Sequence, residues 1–261
     1  MKLLKKLNVF GLGLTLLLAA GCSGNEEHQN DPSPIDSSQR TCQLADEGTS
    51  ARYAYFYHSN GKLDQMIAPD GVRKYVAYNA AGNMTEIRSL DANSNLVELV
   101  TITYNANNLP ESRLTRYTPV NSQSYYWQAK NYYNSANQLI KRTLHLDDTV
   151  TSFVDIYSYP AADQVIDQYY RVSATGTYQL ESTFQTFYDN MKSPTYYIGY
   201  LWSDEILLSS HNPTKAIRIN HLNNTTVTNT CTYDYNSEGF PIKRIGSIDP
   251  TLAHTWTYNC Q

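Results

Sequence analysis

One phrase recurs along the chain and limits what it can fold into. It is an aromatic residue, usually Asn or Asp next, two small or polar residues, Gly or Asn, a spacer, then an apolar residue or Pro. Clear copies run from Tyr57 to Leu63 (YHSNGKL), Tyr78 to Met84 (YNAAGNM), Tyr133 to Leu139 (YNSANQL) and Tyr235 to Pro241 (YNSEGFP). Looser copies begin at Tyr104, Tyr159 and Tyr188, and a degenerate one spans His211 to Ile217. Their spacings are 21, 26, 29, 26, 29, 23 and 24 residues. A repeat at this period means a supersecondary unit stacked on itself. Asn or Asp after the aromatic can bond back to the backbone, and Gly or Asn three places later accepts positive φ. Those are the needs of a β-hairpin loop built on a type I turn. Each period then holds two strands and their turns, so eight copies predict an all-β, up-and-down antiparallel meander of about 16 strands.

The stretches before the turns alternate as strands do. Tyr53/Tyr55/Tyr57, Val100/Ile102/Tyr104, Phe153/Tyr157/Tyr159 and Tyr233/Tyr235 share one face. Thr101/Thr103, Gln128/Lys130, Thr183/Gln185 and Thr230/Thr232/Asp234 share the other. The sheet is therefore expected to curl or close with its apolar face inward and water outside. Sixteen strands of this length also suit a membrane barrel. Against that stand Lys74, Lys130, Lys141, Arg142, Asp155, Asp167 and Arg171 within the strands, and a chain end, Asn259-Cys260-Gln261, without a terminal aromatic. Asp163 and Lys192 replace the turn Gly and Pro160 replaces the Asn, so those copies should turn differently. Ser203 to Ser210 could form a turn of helix.

The N-terminus reads as an address. Lys2, Lys5 and Lys6 precede a short apolar core from Val9 to Leu18. The run Leu18-Ala19-Ala20-Gly21-Cys22 resembles the lipobox of bacterial lipoproteins, which implies cleavage before Cys22 and its lipidation. Three acyl chains at roughly 0.8 kcal/mol per buried CH₂ would hold the protein on a membrane. Residues 1–21 are then the signal peptide, 22–40 a lipidated Cys and polar tether, and 41–261 the repeat domain. Glu26-Glu27 behind the Cys resembles export signals that place lipoproteins on the outer face of the outer membrane. The expected location is the outer membrane, lipid-anchored, at the cell surface, with the periplasmic face as the alternative.

Without the first 21 residues, 17 basic residues face 24 acidic ones, a balance of −7. Phosphate backbones demand the opposite, so nucleic acid is not expected as a partner. With Cys22 lipidated, Cys42, Cys231 and Cys260 remain in an oxidising compartment. Three is odd, and a Cys42–Cys260 staple joining the first and last strands is the pairing proposed, with one thiol left over.

No spacing nominates catalytic chemistry. The six histidines form no ligand or zincin pattern, with His58 and His211 read as turn residues. Asp91, Asn93 and Asn95 resemble the opening of a calcium loop, but Leu96 stands at its sixth position and Ile102 at its twelfth. A hairpin turn is the better reading, so no metal and no cofactor is expected. Asp147-Asp148 and Asp204-Glu205 are adjacent acids, which strand geometry turns to opposite faces. The surplus is aromatic: 23 tyrosines, with groups at Tyr125, Tyr126, Trp127, Tyr132 and Tyr133 and at Tyr196, Tyr197, Tyr200 and Trp202. Aromatic cross-strand pairs are the ordinary glue of a sheet. If any stack on a ligand, Trp127, Trp202, Tyr125 and Tyr200 are the candidates.

The repeat is similar to the YD repeats of RHS-type surface and toxin-shell proteins over residues 53–245. The whole layout of lipobox, acidic tether and Tyr-Asn hairpins resembles an uncharacterised bacterial lipoprotein family with a porin-like fold. That resemblance implies the fold and the anchor but no activity. The expected function is a non-catalytic cell-surface binding or adhesion module, for a glycan or an envelope protein. The alternative is a periplasm-facing structural or assembly lipoprotein.

Overall fold

The repeated phrase does fold into one turn, used again and again. In a computed structural model, which describes residues 42–48, 52–118, 124–146, 150–194 and 208–260, the His58 N–H donates to the Lys62 carbonyl at 2.8 Å and the Gly61 N–H to the His58 carbonyl at 2.9 Å. The same two bonds close the turns at Asn79, Asn105, Asn134 and Asn236. The fourth turn residue is left-handed in every case: Gly61, Gly82, Asn108, Asn137 and Gly239 have φ between 60 and 88°. Asn is selected at the first position because its Oδ1 accepts two backbone N–H groups, as Asn105 does from Asn107 and Leu109. Turns of the same geometry at 68–72, 91–95 and 173–177 lie at the opposite strand ends, without the aromatic that marks the phrase. Asp91 is the acceptor of one of them, bonding the Asn93 and Asn95 N–H groups, so the calcium-like stretch is a turn.

Between the turns run sixteen strands among the described residues. The first eight are β1 (Cys42–Gly48), β2 (Arg52–Tyr57), β3 (Leu63–Ile67), β4 (Arg73–Tyr78), β5 (Met84–Leu90), β6 (Leu96–Tyr104), β7 (Pro110–Tyr117) and β8 (Tyr125–Tyr133). The rest are β9 (Leu139–Leu146), β10 (Val150–Ala161), β11 (Gln164–Val172), β12 (Tyr178–Lys192), β13 (His211–Asn220), β14 (Thr225–Tyr235), β15 (Pro241–Gly246) and β16 (His254–Cys260). Each pairs antiparallel with its sequence neighbours, and β1 pairs with β16 to close the barrel. The meander expected from the repeat is therefore a complete barrel with no free edge.

The register slips by one residue immediately after each of the five phrase turns. Tyr104 faces Pro110, but Thr103 faces Ser112, leaving Glu111 as the extra residue of a bulge. Asp64, Thr85, Ile140 and Ile242 are the equivalents. A bulge takes a neighbouring carbonyl out of the ladder, and the tyrosine of the next copy meets it. Tyr78 donates to the Leu63 carbonyl at 2.9 Å, Tyr104 to Met84 at 2.6 Å, and Tyr133 to Pro110 at 2.7 Å. Tyr159 donates to Leu139 at 2.8 Å and Tyr258 to Pro241 at 2.8 Å. Tyr57 to Leu44 and Tyr233 to Pro213 repeat the contact beside two further register slips. The aromatic of the phrase is thus a bolt between neighbouring hairpins as well as a turn marker.

Three copies depart from the pattern. The turn after Tyr159 is a two-residue loop, with Ala161 facing Gln164. Tyr188 lies inside β12, which runs on to Lys192. His211 to Ile217 is not a turn at all but most of β13, and His211 is half-buried with its Nδ1 3.1 Å from the Met191 carbonyl. Pro213 stands beside a register slip there, where a residue without an N–H costs the ladder nothing.

Cross-strand partners share a face, so the register separates inside from outside all round the barrel. Tyr53, Tyr55, Val100, Ile102, Ala129, Tyr157 and Trp256 point inward. The end that carries the phrase turns also carries the start of β1 and the end of β16, and its interior is packed with buried Leu44, Leu63, Met84 and Leu139. At the other end Tyr125, Leu146 and Val227 face inward and are nevertheless exposed. That end is the mouth.

The inner wall is less apolar than expected. Of the seven strand charges weighed against membrane insertion, Lys74, Arg142, Asp155, Asp167 and Arg171 point inward and only Lys130 and Lys141 outward. Other residues give the outer face its charge: Arg52, Arg73, Glu86, Arg88, Arg116, Lys215, Asp234 and Lys243. Arg or Lys at the midplane of a lipid-facing wall costs about 2–4 kcal/mol each. An outer face so charged, with Thr226, Thr228, Thr230 and Thr232 in one row, is built for water.

Candidate functional site

The inner wall at the mouth holds the aromatic residues that the sheet does not bury. Tyr117 near the end of β7 faces Tyr125 at the start of β8, and their rings stack at 4.9 Å. Trp127 points inward two residues on, paired with Thr115 and Leu146, with the Arg113 guanidinium 5.4 Å from its ring centre. Such a cation over the indole face is worth about 0.5–2 kcal/mol. Phe153 and Tyr169 continue the arc, stacked at 5.2 Å. The five-aromatic run around residues 125–133 is thereby split: Tyr125, Trp127 and Tyr133 face the interior, and Tyr126 and Tyr132 the outside.

A polar network beneath fixes the aromatic pair. The Glu98 carboxylate accepts Lys74 Nζ at 2.7 Å and Ser89 Oγ at 2.6 Å. Burial raises its pKa, but the bonds from Lys74, Ser89 and Tyr117 outweigh that and leave it below the usual glutamate value. Tyr117 donates to Glu98 and accepts the Trp127 indole N–H, so Trp127 is oriented through Tyr117 by a buried charge. Burial is the main reason the Tyr117 hydroxyl is pushed up. It therefore stays a donor throughout the physiological range.

The other inner carboxylates are likewise engaged. Asp155 pairs with Arg142 at 2.8 Å and Glu181 with Arg171 at 2.5 Å. Glu47 accepts Tyr55 Oη at 2.5 Å and Trp256 Nε1 at 2.9 Å, beside His254 across the β1–β16 seam. Burial raises the Glu47 pKa, and the hydrogen bonds from His254, Tyr55 and Trp256 bring it below normal. Glu47 and Glu98, with their pKa values lowered, act here as acceptors and anchors. Among the described residues no group of three or more His, Cys, Asp or Glu side chains could hold a metal ion.

Exposure separates packing from display. Tyr55 and Tyr157, which also point inward, are 5% and 4% exposed, whereas Tyr125 is 47% exposed. Trp202, Tyr200 and Cys22 lie outside the described residues, as do Asp147-Asp148 and Asp204-Glu205. At the seam the register sets Cys42 opposite Cys260, Cys42 is disulfide-bonded, and Cys231 is a free thiol on the inner wall. Sequence reasoning missed Tyr117, Glu98, Lys74 and Arg171 as site residues. Strand parity was the signal that could have found them: from Tyr104 it places Glu98 inward, six residues back.

No family model matches the chain, and no curated protein matches it in sequence. Solved structures do resemble it. A porin-like protein from Bacteroides uniformis superposes with a TM-score of 0.51 at 14% identity, over 84% of this chain and 95% of that one. A porin-like protein from Bacteroides vulgatus gives 0.50 at 12% identity, over 83% and 99%. A Tc-toxin structure, TcdB2-TccC3, is matched over 77% of this chain and 10% of that one at 12% identity, with a TM-score of only 0.28. The first two likenesses concern the fold alone: a closed, porin-like, all-antiparallel barrel.

Proposed function

We propose that this protein is a non-catalytic, lipid-anchored envelope protein whose barrel mouth binds a saccharide. The exposed Tyr125, stacked on Tyr117 beside an oriented Trp127, carries the reading. Flat aromatic faces with Glu, Arg and Ser groups around them grip the apolar faces and hydroxyl edges of sugar rings. Trp202 and Tyr200 join the proposal from the sequence alone.

The geometry favours display. Cys42 enters the barrel at the end opposite the mouth. With Cys22 lipidated, twenty residues reach at most about 70 Å from the membrane, and the mouth is free to point away from it. The Cys42–Cys260 staple belongs to the same reading, since it would lock the seam at the tethered end.

A polysaccharide panel tests the proposal with the full-length protein and its Trp127→Ala and Tyr125→Ala variants. Binding that both folded variants lose supports it. Binding that neither loses assigns recognition elsewhere, and no saccharide binding at all refutes it in favour of a protein partner or an assembly role. Protease added to intact cells reads orientation: an untouched domain refutes surface display and places it in the periplasm.

A further inference from the structure

Beyond the aromatic pair, the acids on the inner wall near the mouth are held by cations, while Asp70 and Asp249 stand exposed on its rim turns. Glu98 and Glu181 are each about 11% exposed and held by cations, and Asp155 is buried on Arg142. The Arg171 side chain, although paired to Glu181, remains 57% exposed. Arg218 points inward on β13, in register with Phe184 and Val227, and is exposed. Its guanidinium lies 5.3 Å from the Phe184 ring centre, and it makes no ion pair among the described residues. Both arginines stand near the mouth ends of their strands, with β12 between them. A guanidinium laid on a ring keeps its in-plane N–H groups available for a two-pronged bond to a carboxylate or sulfate. In a chain of net charge −4, such an arc draws an anion to one place.

We infer that the ligand of the mouth is an acidic oligosaccharide, its rings on Tyr125 and Trp127 and a carboxylate or sulfate ester on Arg218 with Arg171 alongside. This rests on the saccharide reading above. Five strand spacings of about 4.8 Å separate β8 from β13, so a single sugar would not reach both groups.

The test titrates the full-length protein with polygalacturonate, dextran sulfate and uncharged dextran at low salt. The variants are Arg218→Gln and, as a control that removes the same charge from the outer face of β13, Lys215→Gln. An acidic polymer is expected to bind, to weaken about tenfold to a hundredfold in Arg218→Gln, to weaken with added salt, and to be unaffected by Lys215→Gln. Polygalacturonate alone would assign a carboxylate, dextran sulfate alone a sulfate. Dextran binding as tightly as both acidic polymers, or equal losses in the two variants, overturns the inference and leaves the saccharide reading standing. Binding of none of a broad polysaccharide panel overturns both.

Discussion

Replacing Tyr104 with Phe removes one hydroxyl and nothing else from the ladder that bolts hairpin to hairpin. That hydroxyl donates to the Met84 carbonyl at 2.6 Å, beside the bulge at Thr85. Met84 is buried, so its carbonyl finds no water when the donor goes. An orphaned buried acceptor costs about 1–3 kcal/mol. Tyr133→Phe makes a sharper comparison. Its acceptor, the Pro110 carbonyl, also takes Asn131 Nδ2 at 3.0 Å and so remains satisfied. Only the net worth of one bond is lost there, about 0.5–1.5 kcal/mol. Tyr132→Phe, on the exposed outer face, should stay within about 0.5 kcal/mol of the parent. Urea unfolding followed by tryptophan fluorescence, with equal m-values across the series, reads all three. The expected order of destabilisation is Tyr104 first, Tyr133 second, Tyr132 last. If Tyr104→Phe unfolds with Tyr132→Phe, the hydroxyl ladder is decoration and the repeat's aromatic serves packing alone.

Peptide mapping without reductant is expected to join the peptides of Cys42 and Cys260, and Cys42→Ser to cost about 2–5 kcal/mol; a Cys42–Cys231 link would refute the seam staple. Burial pushes the Tyr104, Tyr159, Tyr233 and Tyr258 hydroxyls above the ordinary tyrosine value of 10. The folded state thus holds these protons more tightly than the unfolded chain, so stability is full below about pH 10 and falls as pH rises beyond it. Absorbance titration should show a block of tyrosines ionising only as the barrel unfolds. Glu47 and Glu98 run the other way: their lowered pKa values stabilise the barrel above pH 4.5, and that contribution fades as pH falls below it. Lys74→Met strips a buried carboxylate of its cation and is expected to cost about 3 kcal/mol and to loosen Trp127, seen as a fluorescence shift.

How much of this was legible follows from what each residue answers to. The turn at Asn79 depends on five consecutive residues, so its chemistry can be read locally; the expected sixteen strands agree with the barrel because β1 and β16 make up the pair that the His211 copy does not. Closure depends on pairs more than 200 positions apart: Cys42 and Cys260 hint at it as a candidate staple, whereas Glu47 and Trp256 carry no local mark. The His211 copy misled because Asn212 and Pro213 look like turn residues. Asn212 in fact bonds Asp189 and the Lys192 carbonyl across the sheet, and Pro213 supplies the carbonyl that Tyr233 takes. The inner charges misled in a more instructive way. From the sequence, Lys74 and Arg142 count with the other strand charges, of mixed parity, against a continuous lipid-facing apolar band. They are tolerated inside because each meets an inward-facing acid, Lys74 reaching Glu98 across β5 and Arg142 meeting Asp155 on the adjacent strand. A wide barrel has more inner wall than apolar side chains can fill, so its interior divides by depth. The hydroxyl ladder and aliphatic ring pack the end where β1 begins, ion pairs line the wall from Arg142–Asp155 to Lys74–Glu98 and Arg171–Glu181 nearer the mouth, and the remaining rings are presented at the mouth. The division follows from the phrase itself: its aromatic lies one residue before the turn, which puts every copy at the same end and leaves the opposite end without that constraint. Any ligand-binding residues of this fold should therefore be sought at strand ends remote from the Tyr-Asn turns.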